Sequence, residues 1–496
     1  MLAAPHPRLE LATDVYRCFF EPATGFVRRI RHGHIEVVRA IYAAVRDHNW
    51  DTVLPAIEIT SLRRDVRGFE LRFTARCRQG AVAFDWESTL QGEGGQLSFT
   101  FNGEAKSGFR RNRIGFCILH PIRECTGRPV RYQTADGAWH EGTFPQAISP
   151  HQPFLDLKRF AWEPGPAVKA ELSFQGDTFE MEDQRNWTDA SFKTYCTPLA
   201  LPFPVPVEPG QKIAQEVQLR IATPQPALET ALPPEEITVD PHGALQPLPS
   251  IGFQLGADGM ESAWAIERLV ALRPGHLRVE LFLTAPGWTE VLTRALDIAH
   301  RADTRLHCAL HLSDAAKAEL AALRPFLDPA HVALCLVFHQ REKSTSAHWE
   351  ELAHQLLPRI PVAIGTDFYF TELNREQPLG HPDVVYSFNP QVHAFDDLSL
   401  METLEAQPDT LRSAAAFTTG RIHVGPVTLR PRFNPNATEA NGEPSAAGES
   451  PFAVDPRQRE LIAAAWTVGT LANLLDHERT ASITCFEVAG WKGLFS

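Results

Sequence analysis

Residues 1–222 alternate apolar and polar side chains over short runs. Phe69 to Cys77, Ala81 to Leu90 and Gln96 to Phe101 follow this period of two, joined by turns at Arg78-Gln79-Gly80 and Gly92 to Gly95. Ile114 to Leu119, Val168 to Phe174 and Lys212 to Ile221 are further strand-like segments. Many short strands with turns between them predict a sandwich or barrel. We read the region as an antiparallel β-sandwich, with Glu36 to Arg46 the one stretch ambiguous between helix and strand. A Pro-rich stretch at 223–250 then blocks helices and central strands and reads as a linker or wrapping segment.

From Ile251 the pattern becomes strand then helix, repeatedly. Strands are expected at 251–256, 276–283, 305–312, 332–340, 361–370, 383–389, 421–428 and 482–488. Helices of period 3.6 are expected at 261–272, 290–300, 315–323, 349–357, 398–416 and 458–475. Strands five and six are joined by a loop at 375–382 with no evident helix. Eight strands alternating with helices predict a (β/α)8 TIM-like barrel over 251–496. An open doubly wound sheet is the alternative, weakened by the lack of a Gly-rich phosphate loop after any strand. Asn434 to Ser450 reads as a long insertion after strand seven. The chain stops just after strand eight, so either another segment covers the eighth-helix position or the barrel is truncated there.

Composition narrows the partners. The 496 residues carry a formal net charge of −13, which argues against a nucleic-acid surface. No apolar run approaches the ~20 residues of a membrane helix, and the N-terminus has no signal-peptide core. Eight scattered cysteines without a CxxC pair read as buried free thiols, and a cytoplasmic location is expected.

Polar residues gather where the barrel strands end, the active-site face of such barrels. Strand two ends near Glu280. Strand three carries His307 and His311, and strand four ends in His339. Strand five supplies Asp367, Glu372 and Asn374. Strand six supplies Asn389 and His393. Strand seven runs into Arg430 and Arg432, and strand eight supplies Glu487. Glu372 and Glu487 are the expected catalytic pair, since carboxylates in different environments can divide acid and base roles. The bland alternative makes each an ion-pair partner of Arg375, Arg430 or Lys492. Asp367, Asn374, His311, His339, Asn389, His393 and Arg430 are expected to bind substrate. His307 and His311 share a strand face but stand about 13 Å apart by strand rise, so one metal site using both is disfavoured. No cofactor is expected, with a divalent metal kept as an alternative.

A second dense stretch lies in the sandwich, from Phe179 to Tyr195. It is too polar for a strand core and too aromatic for a free linker. Asn186 and Asp189 within it are expected to bind substrate, in a loop over the barrel mouth or on a sugar-binding face of its own. An interdomain hydrogen-bond network is the alternative.

The stretches Ile41 to Trp50, Gly115 to Pro121, Glu180 to Tyr195 and Gly365 to Asn374, with Phe486-Glu487, resemble the D-apionate lactonases of bacterial apiose catabolism. The resemblance covers nearly the whole chain and implies hydrolysis of a sugar lactone to the open aldonate. It assigns no catalytic residue. The chemistry requires an activated water, oxyanion stabilisation and a proton for the leaving hydroxyl. No G-x-S-x-G elbow is present, which disfavours a serine esterase of the α/β-hydrolase type. A glycoside hydrolase using two barrel carboxylates, or a non-catalytic carbohydrate-binding protein, are the competing readings.

Overall fold

The structure is a computed structural model that describes residues 8–224, 248–256, 262–378, 383–433, 453–475, 477–490 and 492–495. Most of the Pro-rich stretch at 223–250, and all of the insertion expected at 434–450, fall outside these residues. The described residues form two compact units. One holds the chain up to Gln184 and again from Ser191 to 224. The other holds everything from residue 248 onward and also Arg185–Ala190.

The first unit is an antiparallel β-sandwich. One layer runs Pro55–Arg64, Gly68–Gln79, Val82–Glu93, Gln96–Ala105, Lys212–Ala222, Val168–Gln175 and Phe154–Gly165. The other runs Leu9–Ala12, Arg17–Glu21, Phe26–His32, Ile35–Asp47, Phe109–Pro121, Ser191–Tyr195 and Phe179–Asp183. Strand Phe154–Gly165 also pairs with Phe179–Asp183 and so joins the layers. Alternation sets the faces: Leu71, Phe73, Ala75 and Cys77 are buried while Arg72 and Arg76 face water. Their aromatic rings meet rings of the opposite layer, Phe73 on Phe20 and Phe99 on Phe116, each pair 5.0 Å between centroids. The ambiguous stretch is the strand Ile35–Asp47. Nearly all of it is buried, so the period of two that marks a half-exposed strand is missing.

The second unit is a closed barrel of eight parallel strands. They are Ser250–Gln254, His276–Phe282, Leu306–Leu312, Val332–His339, Val362–Tyr369, Val384–Phe388, Ile422–Val427 and Thr480–Ala489. Each pairs with the next, and the first pairs with the eighth to close the ring. Outward residues such as Val279, Leu310 and Val337 pack with helix residues Leu292, Leu320 and Ala353. Inward residues Ala309, Leu334, Leu336, Phe338, Ala363 and Val385 fill the interior. Near the N-terminal end of the barrel, His276 stacks on His307 at 3.9 Å and bonds Ser250 and Thr484. Burial pushes the imidazoles of His276 and His307 well down, so both are neutral barrel lining.

Two expectations need correction. A helix, Phe370–Glu376, follows strand five directly. Seven residues are too few to display helical periodicity in sequence. The expected single helix at 398–416 is broken into Asp397–Glu402, a 3₁₀ turn at Thr403–Glu405 and Gln407–Phe417. Pro408 explains the restart, since proline is accepted in a first helical turn but not in a helix interior.

Candidate active site

The second barrel strand, His-Leu-Arg-Val-Glu-Leu-Phe, carries two charges two residues apart in an otherwise apolar run. Spacing by two puts Arg278 and Glu280 on one face, and the apolar residues between them face the helices. Arg278 is fully buried. Its guanidinium reaches Glu280 Oε1 at 2.9 Å, Asp367 Oδ1 of strand five at 2.8 Å and the Gly425 carbonyl of strand seven at 2.7 Å. It therefore ties three strands together around one buried charge.

Two further groups complete the cluster. His311 on strand three places Nε2 2.6 Å from Glu280 Oε2. Its ring is stacked on Phe282 at 4.2 Å, which fixes its plane. Arg432, beyond strand seven, donates to Asp367 Oδ1 and to the Asp367 carbonyl, the latter at 2.8 Å, and lies 3.5 Å from Glu280. Burial alone would raise the Glu280 carboxyl. Arg278, His311 and Arg432 override that and hold it well below the usual carboxylate range. Burial likewise opposes the charge on Arg432, but Asp367 and Glu280 outweigh it and its pKa is raised. A cavity of about 10 Å³, room for roughly one water, is lined by Asp367, Tyr369, Ser387, Asn389, Thr428 and Arg432 among others.

Glu280, His311 and Asp367 each offer one ligand atom, all within 4.8 Å of one another, a set that could take a cation. The two carboxylates that accept from Arg278 and Arg432 belong to this same set. A cation there would sit beside two guanidiniums, whose charge opposes it.

Glu487 reaches the same face through a bulge. Phe253 pairs with Cys485 but Gln254 pairs with Glu487, so Phe486 is the extra residue, with φ +48°. Without the bulge Phe486 would continue the inward face; with it, Glu487 does. Glu487 bonds Lys492 at 2.6 Å, and its charge is felt by Arg432.

The structure distributes the other expected residues around this cluster. Glu372 sits in the helix Phe370–Glu376, buried, 3.7 Å from Arg375 and 3.8 Å from Lys343. Asn374 in the same helix donates to Asn186 Oδ1 at 3.0 Å. Asn389 lines the cavity, and its carbonyl accepts from Thr188 at 3.0 Å. His393 Nδ1 lies 2.7 Å from Asp189 Oδ2, and Trp187 meets its ring edge-on. Thus Asn186 and Asp189 each pair with a barrel residue. Buried Arg185 anchors the segment on Asp409 at 2.7 Å. His339 faces away from the barrel interior, stacked on Trp349 of the surrounding helix layer at 4.3 Å. Arg430 pairs with Asp455 at 3.2 Å.

Arg278 is not singled out in the sequence, and Glu280 and Arg432 are placed there at strand ends without a role. The signal for the first two is the paired charge on one face of strand two. Arg432 lies in an irregular segment whose path no periodicity gives.

Among the described residues no helix is long and apolar enough to cross a membrane. The chain is 32% identical over 490 residues to the D-apionate lactonase of Brucella anthropi, covering 93% of this chain and 80% of the relative. Among solved structures, a β-arabinopyranosidase aligns over 94% of this chain and 85% of its own, at 11% identity and TM-score 0.31. A galactose mutarotase-like protein from Lactobacillus casei aligns over 43% of this chain and 100% of its own, at 8% identity and TM-score 0.30. Likenesses at that level do not bear on function. Residues 8–224 match the D-apionate lactonase N-terminal domain and residues 252–496 match its TIM barrel domain, so the chain is a hydrolase of the D-apionate lactonase family.

Proposed function

We propose that the protein hydrolyses D-apionolactone, or a closely similar aldonolactone, to the open aldonate, and that the Glu280–His311 pair activates the water. The observation that carries this is the 2.6 Å contact between an ionised carboxylate and an imidazole beside two guanidiniums. With Glu280 ionised, His311 Nε2 carries the proton and Nδ1 is the basic nitrogen. Water gives its proton to His311 as its oxygen attacks the lactone carbonyl. Arg432 offers the charge that stabilises the oxyanion. The ring C–O bond then breaks, and the protonated His311 returns its proton to the departing alkoxide. The relative's name supports the substrate class.

A glycosidase reading is less well supported by the same cluster. Its general acid needs a carboxyl with raised pKa, whereas Glu280 is pushed down and Asp367 is bound by two arginines. The three-atom set at Glu280, His311 and Asp367 is read as a proton-transfer site and no metal is assigned to it. The experiment is acid release from D-apionolactone by the wild type and by His311→Gln. Wild-type turnover lost in the variant supports the reading. A variant with wild-type kcat removes His311 from the mechanism.

A further inference from the structure

The Asp189–His393 pair is not used in this scheme, yet its neighbours connect it to residues that line the cavity. Thr188, next to Asp189, donates to the carbonyl of Asn389, which lines that cavity. Tyr369 lines it too, and its hydroxyl feels the charges of Asp189 and Glu372. Burial is the main reason that hydroxyl stays protonated, and the two carboxylates add to it. Asp189 and His393 keep 14% and 16% side-chain exposure, enough for a small solute to reach them. The segment is held on three sides: Arg185 on Asp409, Asn186 on Asn374 and Thr188 on Asn389. That anchoring is more than a connecting turn needs. It suits a rigid wall presenting polar groups at fixed positions, as recognition of a polyol demands.

Resting on the lactonase reading, we propose that Asp189 and His393, held in place by residues 185–188, form the subsite that recognises the hydroxyl groups of the sugar lactone. Asp189 fixes the His393 tautomer and ring plane, and the pair hydrogen-bonds substrate hydroxyls without taking part in bond making or breaking. A site built to bond a hydroxyl discriminates strongly against an analogue that lacks it. The pair therefore sets which lactone binds, while the Glu280 cluster sets how fast it opens.

The test uses the His311→Gln protein, so that bound lactone stays closed. Calorimetry compares D-apionolactone with γ-butyrolactone, which has no hydroxyl groups. Adding His393→Gln, or separately the isosteric Asp189→Asn, is expected to weaken D-apionolactone binding ~10-fold or more and leave γ-butyrolactone within about 2-fold. Equal losses for both lactones, no loss for either, or no binding of D-apionolactone to the His311→Gln protein would overturn the proposal. Asp189→Asn guards against a folding defect in His393→Gln, and circular dichroism checks each protein. Hydrolysis persisting in His311→Gln would instead sink the reading of the catalytic cluster, a separate outcome.

Discussion

His311 Nε2 lies 2.6 Å from Glu280 Oε2, although the register of strands two and three sets Glu280 opposite Ala309 and His311 opposite Phe282. Glu280 reaches diagonally, and the small side chain of Ala309 leaves it room. The contact therefore depends on residues of three kinds in adjacent strands: a carboxylate, an imidazole and an alanine.

Glu280→Gln keeps the shape of that contact and removes the charge. Arg278 and Arg432 lose a shared counter-ion, and His311 loses the carboxylate that orders its tautomer. We expect kcat for lactone hydrolysis to fall ~10²–10⁴-fold, with the far-UV spectrum unchanged. A kcat within about 3-fold of wild type would show that the pair does not govern the rate. Ala309→Leu is expected to reduce kcat as well, by pushing Glu280 aside.

Arg432→Lys separates charge from geometry. Lysine keeps one positive charge but cannot reach Asp367 and Glu280 with a planar fork. Loss of an oxyanion donor costs about 10²–10³ in kcat. We expect Arg432→Lys to lose most of that, and steady-state kinetics across the two variants of this position, Lys and Ala, to place Lys closer to Ala than to wild type. A lysine enzyme of wild-type kcat would assign Arg432 a merely electrostatic part.

Much of the fold was legible because burial is written in period and run length. The eight barrel strands stand out as short apolar runs, and the sandwich strands alternate cleanly at Phe69 to Cys77. The helix Phe370–Glu376 was hidden by its length, and it moved Glu372 and Asn374 from a strand end onto a helix. The placement of Asn186 and Asp189 against barrel residues was half legible: the mixture of aromatic and polar residues announced burial among polar groups, but not which unit would bury them. Arg432 acts across 65 positions from Asp367, and no local pattern encodes such a contact.

Acid should unfold the barrel unit earlier than its core suggests. Burial alone would raise the Asp455 carboxyl, but Arg457 and Gln391 bind it and hold it well below its ordinary value. A carboxyl whose folded pKa is depressed contributes stability that is complete above its unfolded pKa, about 3.9, and is lost as pH falls toward the folded value. Glu280 and Asp383 shift in the same direction. The urea midpoint is therefore expected to drop as pH falls from about 5 to 3. Asp455→Asn should lower the midpoint at pH 7 and flatten this slope. A slope identical to wild type would remove Asp455 from the acid transition.

Glu372 and Glu487 offer the sharpest division between a structural and a chemical carboxylate. Glu372 lies buried in a helix between Arg375 and Lys343, each nearly 4 Å away. Glu487 is turned inward by the bulge at Phe486, and its charge reaches Arg432. Glu→Gln removes the charge at either site with little change in volume. At Glu487 we expect kcat to fall ~10²-fold or more, because the catalytic face loses a carboxylate whose charge acts on Arg432, with stability near wild type. At Glu372 we expect the reverse: a lower melting temperature from loss of the two ion pairs made by the buried carboxylate, and kcat within about 3-fold. Deleting the extra residue Phe486 removes the bulge but leaves Glu487 at the inward position after Cys485, so its rate should fall less than that of Glu487→Gln. Thermal melts and kinetics on the three variants decide it. A large loss of kcat in Glu372→Gln with an unchanged melt would make Glu372 the chemical group and Glu487 the structural one.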